Sequence, residues 1–211
     1  MIGDKLVITQ YHKDNGAKVA ARVLEIAKTI DRPIAVTIAG ESGSGKSETA
    51  ATTAQILERN GLKTVILGQD DYFKLPPKSN SQKRRETIDW VGMGEVRLDL
   101  MAAHLSAAKN GEKEIVKPLV FFDEDRIGEE TVSLAGVKVV IAEGTYTTSL
   151  EQADTRAFID ATYHHTLEHR KKRARDTTEG NFIEKVLEIE HKIISAHKSL
   201  ADIILPPNPD Q

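Results

Sequence analysis

The residues Gly40-Glu41-Ser42-Gly43-Ser44-Gly45-Lys46-Ser47 carry the clearest chemical signal in the chain. They satisfy the pattern G-x-x-x-x-G-K-[ST]. In such a loop, glycines let successive backbone N–H groups turn inward around a polyphosphate, and the helix that follows adds a favourable dipole. Lys46 is expected to reach the β and γ phosphates of a nucleotide and the Ser47 hydroxyl to hold Mg²⁺, so ATP and Mg²⁺ are the expected ligands.

Two acidic segments could turn nucleotide binding into phosphoryl transfer. In Gln69-Asp70-Asp71-Tyr72-Phe73, a carboxylate just past a strand could accept the proton of an attacking hydroxyl or assist Mg²⁺ through water. Glu143, followed by Gly144-Thr145, ends an apolar run and is expected to organise metal or water. A third segment, His169 to Arg175, is strongly basic. Arg170 and Arg173 lie one helical turn apart and Arg175 follows; brought over the nucleotide as a lid, they would stabilise the transferred charge and exclude water. His165-Thr166-Leu167-Glu168-His169 formally matches a zinc-peptidase pattern, but no third ligand segment accompanies it, so these residues read as polar helix positions. Trp90 reads as a core anchor.

These groups need a scaffold, and the hydrophobic pattern supplies an α/β one. Residues 17–30 have helical periodicity and stop before Pro33, reading as an extension over 1–33 ahead of the main fold. Residues 34–39 are a short branched apolar run ending at Gly40, as in a buried parallel strand. A helix is expected over 47–59, a strand over 64–67, and a polar, proline-containing loop over 69–81. Further on, the pattern predicts a helix over 98–108 and a β-hairpin of strands 115–122 and 131–134 around a charged turn at 123–130. A strand at 137–142, one at 157–161, a basic helix at 166–176, a long amphipathic helix at 181–197 and a last strand at 202–205 complete the series.

Composition narrows the class. The chain has 211 residues, 39% of them hydrophobic, which suits a single domain over 1–211. Lys and Arg total 29 against 32 Asp and Glu, for a net charge of -3, so no global attraction to nucleic acid is expected. The absence of cysteine removes disulfides and thiolate chemistry. The charged N-terminal stretch does not read as a secretory signal, and no apolar run is long enough for a membrane span. A cytoplasmic enzyme with a small-molecule substrate is expected, with no membrane or nucleic-acid partner; self-association stays open. The other class compatible with the loop is an ATP-driven regulatory switch acting through a protein partner.

The order of these motifs, from Ile34 to Leu205, resembles the uridine kinase and phosphoribulokinase family. Gln69-Asp70-Asp71-Tyr72-Phe73 is similar to that family's Gln-Asp-Ser-Phe-Tyr segment, which implies Asp70 as the base, with Asp71 as fallback and Asp71 and Tyr72 near the substrate. Ile88-Asp89-Trp90 resembles the segment whose aspartate holds substrate hydroxyls, Lys117-Pro118 with Phe121-Phe122 resembles the substrate-side hairpin, and Glu143-Gly144 the segment near Mg²⁺. Residues 166–180 resemble the arginine-rich lid, and Ala201-Asp202-Ile203-Ile204 the final strand. The resemblance implies a P-loop NTPase three-layer sandwich with a mainly parallel five-stranded sheet, a hairpin and a helical lid. It also implies Asp89, Phe121 and Glu143 as substrate contacts. Val120-Phe121-Phe122 stands where uridine kinases carry Tyr-Asp-Phe, so the polar groups that select a pyrimidine are missing there and the acceptor is left open.

Overall fold

Alternate residues of the strand that begins at Ile34 face two separate apolar layers. Ala35 and Ala39 pack with Val140, Ala142 and Phe158 on one side, while Val36 and Ile38 pack with Val139, Ile141, Ala157 and Ile159 on the other. A strand covered on both faces must be apolar throughout, which is why this one shows no polar alternation. The computed structural model describes residues 6–163 and 180–208. Its elements in chain order are α1 (Gln10–Ala27), β1 (Ile34–Gly40), α2 (Lys46–Arg59), β2 (Thr64–Gly68), α3 (Pro77–Glu86), α4 (Leu98–Lys109), β3 (Glu114–Phe121), β4 (Arg126–Ser133), β5 (Val139–Gly144), β6 (Thr155–Ile159), α5 (Gly180–Ala196) and β7 (Ile203–Leu205), with short 3₁₀ turns between them.

The main sheet has the order β2-β5-β1-β6-β7, every pair parallel, and β3 and β4 form a separate antiparallel ribbon. Helices α1 and α2 cover one face through Val19, Ala20, Val23, Ala50, Ala54 and Leu57. Helix α4 covers the other through Met101, Leu105 and Ala108, joined by Ile194 of α5. The result is the expected helix–sheet–helix sandwich. Because all strands are parallel, the residues that leave β1, β2 and β5 emerge at one edge, where open α/β sheets bind ligands. Register sharpens this: β5 lies between β1 and β2, with Glu143 opposite both Ile38 and Gly68.

Three expectations need correction. First, α1 begins at Gln10 rather than at residue 17. Its first turns carry no apolar stripe because their buried residues, His12, Asn15 and Gly16, pack against polar surface of α2 and the phosphate loop. A Cβ at Gly16 would fall 2.3 Å from the Thr52 hydroxyl, so glycine there allows the two helices to approach. The helix is therefore part of the sandwich and not an appendage. Second, the loop expected over 69–81 contains a 3₁₀ turn, Gln69–Tyr72, and the start of α3. Pro77 occupies the first turn of α3, where its missing N–H costs nothing. The next free amides are capped from the hairpin turn: Asp125 accepts from Lys78 N–H at 2.6 Å, from Ser79 N–H at 3.2 Å and from the Ser79 hydroxyl at 2.6 Å. Third, residues 126–130 extend β4 instead of belonging to the turn. Its polar side chains face solvent, while Asp125 takes the left-handed conformation that reverses the chain, with φ 48°.

Candidate active site

The phosphate loop leaves β1 and enters α2 as expected. Gly45, the residue before α2, has φ 88°, and a Cβ there would lie 2.6 Å from His12 Nε2. Only glycine meets both the conformational and the steric demand. Gly40 and Gly43 also have positive φ. Lys46 Nζ donates to the Glu41 carbonyl at 2.8 Å, holding the ammonium across the loop's own concavity. The Ser44 hydroxyl is buried with no partner among the described residues. Ser42 lines the adjoining cavity. The Glu41 side chain faces away from that role: its carboxylate accepts from Tyr163 N–H at 2.5 Å and pairs with His191 Nδ1 of α5 at 2.6 Å.

Around this loop stand the acidic groups from the neighbouring strands. The Ser47 hydroxyl donates to Glu143 at 3.2 Å. Burial and the neighbouring Asp70 charge push Glu143 up to about 7, against the opposing pull of Lys46 and the Ser47 hydrogen bond. Two neighbouring carboxylates beside a hydroxyl and an ammonium form a donor set suited to a divalent cation, which would relieve their repulsion. Ser47, Asp70 and Glu143 thus fit Mg²⁺, with phosphate oxygens and water supplying the remaining ligands. Among the described residues there is no cluster of three His, Cys, Asp or Glu side chains able to hold a metal alone.

Gly144 anchors this corner. Gln69, buried behind it, accepts from Tyr146 N–H at 2.8 Å and donates to the Thr145 hydroxyl at 2.8 Å. A Cβ on residue 144 would meet the Gln69 side chain at 2.2 Å. Gly144→Ala is expected to destabilise the fold by about 1–3 kcal/mol through overpacking and to slow turnover by displacing Glu143. Thermal unfolding and steady-state kinetics check this; wild-type values for both would show that Gln69 yields.

A cavity of about 300 Å³ opens beside Asp70 and Ser42. Its walls come from the β2 exit and following loop (Phe73, Leu75), α3 (Asn80, Arg84), the hairpin (Val120, Phe122) and α5 (Phe182, Glu190). Asp70 itself is exposed to this space. Its neighbours, expected at the substrate, are not. Asp71 is buried and bound by Lys117 Nζ at 2.7 Å and Val120 N–H at 3.0 Å. Burial alone would raise Asp71, but these two hydrogen bonds outweigh it and hold it below the usual carboxylate range. Tyr72 is fully buried, its hydroxyl 2.8 Å from His104 Nδ1. Consecutive residues on a tight turn point in different directions, so only the first of the three reaches the cavity.

The same alternation corrects Phe121. Val120 and Phe122 line the cavity, whereas Phe121 lies on the opposite face of the ribbon, with the Arg126 guanidinium 3.9 Å above its ring. Asp89 is exposed on the Ile88–Trp90 turn and is not among the lining residues. Trp90 is half-buried and donates to Asn80 Oδ1 at 2.9 Å. Arg170, Arg173 and Arg175, the lid at 166–180 apart from the start of α5, and the histidines at 164, 165 and 169 lie outside the described residues.

Sequence reasoning missed a polar cluster on the wall between α3 and α5. Glu95, fully buried, accepts from Arg84 Nε at 2.5 Å, Arg84 Nη2 at 3.0 Å, Asn80 Nδ2 at 2.6 Å and Gly92 N–H at 2.6 Å. Arg84 Nη2 also reaches Glu190 Oε1 at 2.8 Å. Burial pushes Glu190 up, against the pull of Arg84. The signal was the acid–base content of residues 83–95 and 184–190, but its pairing spans 106 positions and no local spacing rule reaches that far.

Comparison with known proteins agrees with this geometry. The pattern of the phosphoribulokinase / uridine kinase family matches residues 35–210. The chain is 26% identical to the bifunctional alpha-galactosidase/sucrose kinase AgaSK of Mediterraneibacter gnavus over 82% of its own length, spanning 20% of that protein. It is 28% identical to uridine kinase of Staphylococcus epidermidis, over 80% of this chain and 85% of the relative. Several of the curated relatives are spanned over about half their length or less. Among solved structures, a possible uridine kinase from Bacillus stearothermophilus superposes with TM-score 0.64 at 17% identity, over 92% of this chain and 98% of the other, a likeness of fold.

Proposed function

Because the chain belongs to the phosphoribulokinase / uridine kinase family, we propose that it transfers the γ-phosphoryl group of ATP to a hydroxyl of a small nucleoside- or sugar-type acceptor. The observation that carries this is a cavity lined by both Ser42 of the phosphate loop and Asp70, with an acceptor-sized space between the hairpin, α3 and α5. Donor and acceptor would meet there without solvent between them, the condition under which transfer outruns hydrolysis.

The roles follow from the chain's own groups. Backbone N–H groups of residues 40–47 and the start of α2 cradle the polyphosphate, and Lys46 exchanges the Glu41 carbonyl for phosphate oxygens. Asp70 accepts the proton of the attacking hydroxyl. Ser47, Glu143 and Asp70 would hold Mg²⁺. When bound, Mg²⁺ supplies neutralisation of charge on the phosphate oxygens. Arg170, Arg173 and Arg175 close over the donor, with Arg175 toward the nucleotide. Two relatives support the breadth of acceptor, one named for sucrose and the other for uridine.

ADP release measured with ATP and Mg²⁺ against a panel of uridine, ribose, fructose, sucrose and glycerate tests this. At least one acceptor is expected to raise ADP release well above the acceptor-free rate and to appear as its phosphate ester. ADP release that no acceptor stimulates, and that responds only to a protein partner, would replace the kinase reading with that of a switch.

A further inference from the structure

The Arg84–Glu190 pair lies in the cavity wall with one edge of each group unused. Arg84 spends Nε and Nη2 on Glu95 and Glu190, while Nη1 has no hydrogen-bond partner among the described residues. Glu190 accepts at Oε1, and its Oε2 has none among the described residues. Both residues line the cavity, and their side chains are only 18% and 13% exposed. The pair is also fixed from behind. Glu95, itself held by Asn80 and Gly92 N–H, clamps the guanidinium from the buried side. Nearby, the Tyr146 hydroxyl is buried without a partner among the described residues and interacts electrostatically with Arg84, Glu95 and Glu190.

A guanidinium edge offers only donors and a carboxylate edge only acceptors. Side by side, they complement a group that accepts at one atom and donates at the next, which is what two hydroxyls on adjacent carbons do. A lone carboxylate or phosphate on the ligand would meet Glu190 as a like charge, and a flat base would find only the apolar Val120 and Phe122 on the hairpin wall. We infer that Arg84 and Glu190 are specificity-determining residues that grip a vicinal diol of a neutral polyhydroxylated acceptor, on the wall that α3 and α5 form. This rests on acceptor-directed transfer, with the diol on the acceptor. The hairpin side contributes Val120 and Phe122, apolar surface suited to the C–H face of a sugar.

The test takes the best acceptor of the panel above and compares it with its monodeoxy analogues, in the wild type and in Glu190→Gln. In the wild type, removing either hydroxyl of one vicinal pair is expected to raise KM at least about tenfold, as for hydrogen bonds to charged groups, with kcat nearly unchanged. In Glu190→Gln the parent acceptor loses that advantage, the deoxy analogue loses little more, and KM for ATP is unchanged. A merely structural role for Glu190 would weaken parent and analogue alike and so overturn the inference. So would a best acceptor with no vicinal diol, or equal discrimination in both proteins. Absence of transfer to every panel member would instead remove the kinase reading itself.

Discussion

Replacing Asp70 by asparagine is expected to lower kcat about a thousandfold, within the 10²–10⁴ range of a lost general base, while ATP binding survives. Asparagine keeps the size and one acceptor oxygen of the side chain but cannot take a proton. Asp70 is exposed to the cavity, and asparagine keeps its shape, so the fold is expected to remain intact. Acceptor-dependent ADP release, read beside calorimetric titration with ATP, separates the outcomes. A variant as fast as wild type would show that the hydroxyl loses its proton elsewhere, and the loss of ATP binding would show that Asp70 acts chiefly through the metal and the donor.

The largest effect on stability is expected from Lys117→Met. The Lys117 ammonium and the Asp71 carboxylate are both nearly inaccessible, at 6% and 5% side-chain exposure, and lie 2.7 Å apart. Removing the cation takes the Lys117 charge and hydrogen bond from the buried Asp71, a loss of about 3–5 kcal/mol. For a domain of this size that is a fall in Tm of about 6–20 °C. The double variant Lys117→Met/Asp71→Leu should recover much of the loss, because an apolar pair of similar volume needs no partner. If the single variant melts as the wild type does, the carboxylate has found water or another donor. The pair also sets a pH dependence. Asp71 is held below its ordinary range, so its contribution to stability is complete above the unfolded carboxylate value of about 3.9 and is lost as pH falls through the lower folded value. Acid unfolding of wild type should therefore show a component that the double variant lacks.

How far the sequence reveals this molecule depends on how local each cause is. The phosphate loop, β1 and α2 follow from contiguous residues: glycines at fixed offsets, an apolar run before them and an Ala-rich helix after them. Glu143 was legible for the same reason, as the first charged residue at the end of a buried strand. Asp70, Asp71 and Tyr72 could not be told apart, because which of three adjacent side chains points into a cavity is decided by Lys117 and His104, 46 and 32 positions away. Phe121 and Phe122 posed the same problem, and one residue of strand register separates a cavity wall from an outer surface. Helix α3 was hidden because its cap, Asp125, comes from the hairpin turn 47 residues later. The start of α1 was hidden because it buries polar groups against polar groups, a pattern that hydrophobic periodicity cannot register.

The hairpin is tied at its middle by Asp71 to Lys117, near its turn by Asp71 to Val120, and at the turn by Asp125 to the first turn of α3. A ribbon of two strands alone is marginal in water, yet here the half that carries Val120 and Phe122 is held. Its consequence is entropic. A ligand that settles against Val120 and Phe122 meets a surface already in its final shape and pays little to order it. Selectivity on that side then comes from fixed contours, like a mould, and the freedom to adapt must reside in other parts of the molecule.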